Sequence, residues 1–133
     1  DAYGSDANLE EEGNWAEILP NAFFKLRFFT SKKSMKIRTA LEEPYRRTMR
    51  SKDGELPEKV AEQIVIQHLA NGVILDWKDV YVDPDDDSPI SYSKENAVTL
   101  MKRFPHLREA ILRYALEHEN YREAAEAEAV KNS

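Results

Sequence analysis

The stretch Gly72 to Asn96, GVILDWKDVYVDPDDDSPISYSKEN, constrains the fold more than any other part of the chain. Val73, Ile74, Leu75 and Trp77 carry more apolar surface than a solvated loop can hold, whereas Asp83, Asp85, Asp86 and Asp87 must stay in water. The segment therefore enters the core, leaves it over an acidic turn and returns at Ser93, a residue type suited to cap the next helix. Upstream, Pro57 opens a helical pattern in which Val60, Ile64, Gln67 or His68, and Asn71 trace one stripe and Ala61, Val65 and Leu69 its neighbour. That pattern predicts one helix continuing as far as Trp77. Gly72 weakens it locally, and a glycine there serves close approach of a neighbouring segment.

At 133 residues the chain is the size of one domain and can bury about two-thirds of its unfolded surface. It has no cysteine, so no disulfide is needed or available, which suits a reducing cytoplasm. Its apolar runs fall far short of the ~20 residues that cross a bilayer, and no charged-then-apolar leader opens it. These features predict a soluble, cytosolic protein with no membrane partner.

The net charge of -6 conceals a strong asymmetry. Residues 1–24 carry -6, residues 25–52 carry +8, and residues 53–133 carry -8. A basic block of this kind binds phosphate or an acidic protein face in some chains, but more often it is neutralised by its own acidic segments or simply solvated. No Gly-rich phosphate loop, zinc-finger spacing or aromatic RNA-stacking motif accompanies it. Nucleic acid is not expected as a partner.

In chain order, residues 1–13 are acidic, small and polar, and predict a mobile arm. Trp15 to Phe29 has a Pro-Asn break between two aromatic or branched runs, which predicts a β-hairpin with Phe24, Leu26 and Phe28 on one face. Phe23, Lys25, Arg27 and Phe29 fall on the other. Thr30 or Ser31 caps a helix from Lys32, with Ile37, Leu41, Tyr45 and Met49 in one stripe and a kink or restart at Pro44. Val80–Val82 and Ile90–Tyr92 flank DPDDDSP as a short hairpin or two extended arms. Ser93 caps a helix burying Ala97, Leu100, Met101 and Phe104, and Pro105 starts the last helix, with Leu107, Ile111, Tyr114 and Ala115 inward. The expected fold is mainly α (α+β): an N-terminal β-hairpin docked on about four to five helices. Residues 14–122 form that domain, between the arm and a frayed or partner-bound helical tail over 123–133.

Candidate chemistry is sparse. Asp83, Asp85 and Asp87 alternate as calcium-loop ligands do, but Ser88 stands where such a loop needs glycine and Lys94 where it needs the bidentate glutamate, so a solvated acidic turn is the better reading. His68, His106 and His118 have no spaced metal partner. No nucleophile elbow or reactive cysteine is present, and the reading is non-catalytic, with no metal and no cofactor.

The order of YGSDANLEEEGNWAEI, a basic hairpin, LEEPYRR, LPEKVAEQIVIQHLANGVILDWKDV, an acidic turn, YSKENAVTLMKRFPHLREAILRYA and ENYREA resembles the tail assembly chaperones of long-tailed bacteriophages and prophages. The similarity runs from about Tyr3 to about Glu126 and lies in the order and spacing of segments rather than in a catalytic motif. The acidic turn lacks the Asp-Gly such turns often carry, and FFKLRFF is unusually aromatic. The resemblance implies a chaperone that binds the tape-measure protein, keeps it soluble and helps bring tail-tube protein subunits to it in the host cell cytoplasm, then is absent from the mature virion.

Aromatic residues interleaved with charge point to Phe23, Lys25, Arg27 and Phe29, with the basic helix end Arg46, Arg47 and Arg50, as the partner-binding surface. Trp77, Leu100 and Ile111 are expected to be structural. Two other classes stand beside the chaperone: a virion component such as a tail terminator or head-tail completion protein, and a nucleic-acid-binding accessory protein using residues 25–52. Oligomeric state, including a homo-oligomer, is open at this level.

Overall fold

The structure, a computed structural model, describes residues 2–51 and 53–131. Pro20 and Asn21 make the two-residue turn of an antiparallel hairpin, β1 (Asn14–Leu19) and β2 (Ala22–Leu26). Asn21 takes φ 65 there, a conformation that asparagine tolerates, and its amide donates to Glu17 Oε2 at 2.8 Å. Along β2 the period-two rule holds: Ala22, Phe24 and Leu26 are buried, and Phe23 and Lys25 lie half-buried on the opposite face.

The hairpin does not dock on helices alone. A third strand, β3 (Ile74–Lys78), pairs antiparallel with β2, giving the order β1-β2-β3, with Trp77 opposite Phe24 and Asp76 opposite Lys25. The apolar run expected to end a helix is thus a strand. Helix α4 (Glu58–His68) passes into a π-type turn over Leu69–Val73, after which Ile74 is extended at φ -78 and ψ 113. A helix continued to Trp77 would have left one edge of β2 without hydrogen-bond partners, and a short apolar run fits both periods equally well.

The remaining elements follow their caps. Helix α1 (Ala2–Glu12) stops at Gly13, which has φ 91 and donates its amide to Leu9 O at 2.8 Å. A Cβ at that position would lie 2.7 Å from Leu75 Cδ1, the movable end of a side chain, so it is the positive φ that favours glycine there. Helix α2 (Lys32–Glu42) is capped by Ser31 Oγ, and the Glu11 carboxylate accepts from the amides of Lys32 and Lys33 at 2.5 and 3.2 Å. Pro44 interrupts as expected: a 3-10 turn, Glu43–Tyr45, leads to the single turn α3 (Arg46–Met49). Ser93 caps α5 (Lys94–Arg103), and Pro105 separates it from α6 (Pro105–Leu116). Helix α7 (His118–Lys131) closes the chain.

The amino-terminal segment expected as a mobile arm is helical, and α1 packs along α7, the helix that carries the expected helical tail. Tyr121 and Ala125 of α7 are buried. The resulting α+β molecule has more helices than the four to five expected, because the amino-terminal segment adds one and the last expected helix divides at Glu117 into α6 and α7.

The junction after β2 ties the elements together. The consecutive amides of Arg27, Phe28 and Phe29 donate to Val73 O, Glu10 O and Ala115 O at 2.8, 2.9 and 2.8 Å, and so reach the turn before β3, α1 and α6. Beneath them, Phe24, Leu26, Leu69, Val73, Trp77, Leu100, Met101 and Ile111 form one core. Trp77 places Nε1 2.8 Å from Ile90 O, while Ile90 N donates to Val80 O at 2.7 Å. The flanks of the acidic turn are therefore two extended arms held to the sheet. Ile37 lies over Gly72, as a close-packing glycine requires.

Candidate functional site

Exposed apolar surface gathers at the hairpin-tip end of the molecule. Leu19, the segment Tyr81–Val82, Leu100 of α5 and the α5–α6 junction line a groove of about 440 Å³. Its shape follows from local rules. Pro105 forces the preceding residue out of helical geometry, and Phe104 accordingly sits at φ -123 and ψ 83, turned into the junction beside Leu107. Leu19 reaches the groove just past the break in β1 register between Glu17 and Leu19. Leu19 and Tyr81 remain 41% and 53% exposed, large values for side chains of this size in an apolar groove. The charged lining is Arg103, whose guanidinium lies 5.1 Å from the Phe104 ring, with His106 as the other polar group.

Tyr81 also borders a shallower depression with Pro20, Asn21, Phe23 and Asp79. Phe23 in turn belongs to the outer face of the sheet, where Lys78 Nζ stands 4.6 Å from the Trp15 ring and 5.6 Å from the Phe23 ring. Trp15 is 40% exposed. The groove, the depression and the outer sheet face thus run into one another through Tyr81 and Phe23.

The sequence-predicted residues divide among three places. Phe23 and Lys25 lie on the outer sheet face. Arg27 and Phe29 are turned to internal tasks: Arg27 donates Nε to Glu11 O at 2.6 Å and Nη1 to Gly72 O at 3.0 Å, and the Phe29 ring lies 4.2 Å from the His68 ring. Strand alternation assigned them outward, but the strand ends at Leu26 and the chain bends into the helices. Arg46 and Arg47 are on α3 and Arg50 follows its end; Arg46 pairs with Glu43 at 2.8 Å, and Arg46 and Arg50 flank a small hollow with Thr39 and Met49. The structure does not join them to the sheet face in one site. Leu19, Tyr81, Phe104, Trp15 and Lys78 were not foreseen as site residues; the pairing of Lys78 with Phe23 depends on the third strand, which the helical reading of Ile74–Trp77 hid.

One buried constellation resembles a nucleophile and base. Ser34 Oγ is 2.6 Å from His68 Nε2, and both residues are fully buried. The hydroxyl proton is committed to Phe29 O at 2.6 Å, so Oγ must accept from Nε2–H, and the bare Nδ1 accepts from Arg38 Nη1 at 3.3 Å. Burial, followed by the neighbouring Arg38 charge, lowers the His68 pKa to about 4. The arrangement is a hydrogen-bond chain with a neutral imidazole and without an activated nucleophile.

In the acidic turn, Asp83 Oδ1 and Asp86 Oδ1 accept from the amides of Asp85 and Ser88 at 3.0 and 2.9 Å. Among the described residues no group of three or more His, Asp or Glu side chains is placed to hold a metal ion. No helix among them is long and apolar enough to cross a membrane.

A protein-family model described as YdaY prophage protein matches residues 30–132. No curated protein and no solved structure matches the chain.

Proposed function

The chain belongs to the YdaY prophage protein family, and from that premise we propose that it is a non-catalytic assembly chaperone for a phage tail tape-measure protein. The observation that carries the reading is the apolar groove lined by Leu19, Tyr81 and Phe104, which adjoins the mixed aromatic and charged outer face of the sheet through Tyr81 and Phe23. A surface of this kind on a small domain suits an amphipathic helix laid into it. Tape-measure proteins are long and helical, and unassembled they expose apolar stripes that need covering. Several copies along one such helix would hold it by multivalency even if each contact were weak. On this reading the chain acts in the host cell cytoplasm, helps recruit tail-tube subunits and is absent from the finished particle.

Co-expression with the tape-measure protein of the same prophage tests it. The expected result is a tape measure that becomes soluble and co-purifies with this chain. Replacing Leu19 and Tyr81 by Ser should weaken capture by about tenfold or more, since each removes exposed apolar contact area and no core packing, with the circular dichroism spectrum unchanged. A tape measure that is soluble alone and never co-purifies would remove the proposal, and detection of the chain in purified particles would move it to the virion components.

A further inference from the structure

The basic block is only partly neutralised by the chain's own carboxylates, and Glu11 meets it only at the Lys32 and Lys33 amides. Among the described residues, the carboxylate partners of its bases are Glu42 for Arg38 and Glu43 for Arg46, both inside the block itself. Arg27 is satisfied by carbonyls. Lys32, Lys33, Lys36, Arg47 and Arg50 are exposed and make no ion pair among the described residues, so α2 and α3 present a ridge of free cations with Met35 exposed among them. Asp83, Asp85, Asp86 and Asp87 are likewise exposed, and among the described residues they make no ion pair.

The two charged features leave the sheet at opposite ends. Leu26 pairs with Ile74 at one end, from which the chain runs on into α2; Phe23 pairs with Lys78 at the other, from which the acidic turn departs. We propose that copies of this chain associate head to tail, the basic ridge of α2 and α3 in one copy receiving the acidic turn Asp83–Asp87 of the next. A contact between two different patches is heterologous, and repeated it produces a chain or a ring rather than a closed two-fold dimer. Charge complementarity selects this occupant: the rest of the molecule is acidic and would repel a nucleic acid, and the ridge has no exposed aromatic ring for a base to stack on. A second copy supplies the four exposed carboxylates of the turn to the five exposed bases of the ridge. The inference is independent of what the apolar groove binds.

Sedimentation velocity of the full chain tests it. At about 20 mM salt the weight-average mass should rise with concentration above the monomer, and at about 500 mM, where exposed charges are screened within a few ångströms, it should return to it; the monomer is 15.4 kDa. Lys36→Glu/Arg47→Glu and Asp85→Lys/Asp87→Lys change exposed side chains with no ion pair, and each variant alone should stay monomeric at low salt. Mixed in equal amounts, the two should form a one-to-one pair, because the native ridge of the Asp85→Lys/Asp87→Lys chain meets the native turn of the other, while the altered ridge and altered turn, each left with mixed charge, do not extend it. A wild-type monomer at low salt throughout would overturn the proposal, as would association that survives either variant or a mixture that stays monomeric. A monomer that instead retards DNA in a Lys36- and Arg47-dependent way would assign the ridge to nucleic acid.

Discussion

His68 sits in a hydrogen-bond chain whose direction is fixed at both ends. The Ser34 hydroxyl gives its proton to Phe29 O, so His68 must donate from Nε2, and Arg38 donates to Nδ1. Protonating Nδ1 would break that last bond and place a second cation, fully buried, beside Arg38. The folded pKa of about 4 lies below the ordinary 6.5, so the unfolded chain binds the extra proton first. This contribution to stability is therefore fully present above about pH 6.5 and is lost as pH falls toward about 4, amounting to about 3 kcal/mol over the window. Denaturant midpoints measured across that range should show the loss, and His68→Gln, which keeps a donor toward Ser34 but cannot titrate, should flatten the slope. An equal slope in the variant would assign the acid sensitivity to carboxylates. Trp77 is the second residue on which much rests: it is 5% exposed, meets the Phe24 and Tyr92 rings edge-on and donates to Ile90 O. Trp77→Ala should cost about 3–5 kcal/mol in equilibrium unfolding, and an unchanged midpoint would contradict the burial.

At the scale of elements, residues that act on their near neighbours were the legible ones. Pro20-Asn21, the Ser31 and Ser93 caps, the Pro44 interruption and the Pro105 boundary are all where local chemistry placed them, because each acts within one turn of chain. β3 was not legible. Ile74, Leu75 and Trp77 continue the apolar arc of α4 well enough to read as helix, and only the need of β2 for a partner along its other edge decides otherwise. That single misreading propagated to the site, since without β3 neither Lys78 beside Phe23 nor the position of Tyr81 can be placed. Phe29 failed for a related reason: alternation carried past Leu26 assigns it outward, whereas the chain has already left the sheet and sets its ring on His68. The two hairpin residues that do lie on the outer sheet face, Phe23 and Lys25, are inside the strand, where alternation still applies.

For the whole molecule, the acidic amino-terminal segment is the sharpest case of composition against context. Residues 1–13 contain too little apolar surface to fold alone, yet their last turns are used by three other parts of the structure. Glu10 O accepts from Phe28 N and Glu10 Oε2 meets His118 Nδ1 at 2.7 Å; Glu11 O accepts from Arg27 Nε and its carboxylate caps α2. Deleting residues 1–12 would leave the Ser31 cap but remove the Glu11 carboxylate from the first turn of α2, costing about 1 kcal/mol, and would leave the Phe28 amide and the half-buried Arg27 guanidinium short of a partner, costing about 1–3 kcal/mol more for each group that water cannot reach. The truncated chain should melt several degrees lower, and amides at the start of α2 and along α7 should lose hydrogen-exchange protection before those of the sheet. A truly mobile arm predicts the reverse, an unchanged melting curve and unchanged protection. Because Phe28 lies between Arg27 and Phe29, whose amides hold Val73 and Ala115, loosening it should spread toward β3 and α6 while leaving the Leu19–Phe104 groove at the far end of the sheet intact. Capture of a helical partner should then survive a truncation that costs stability, which separates the part of the chain that builds the fold from the part proposed to use it.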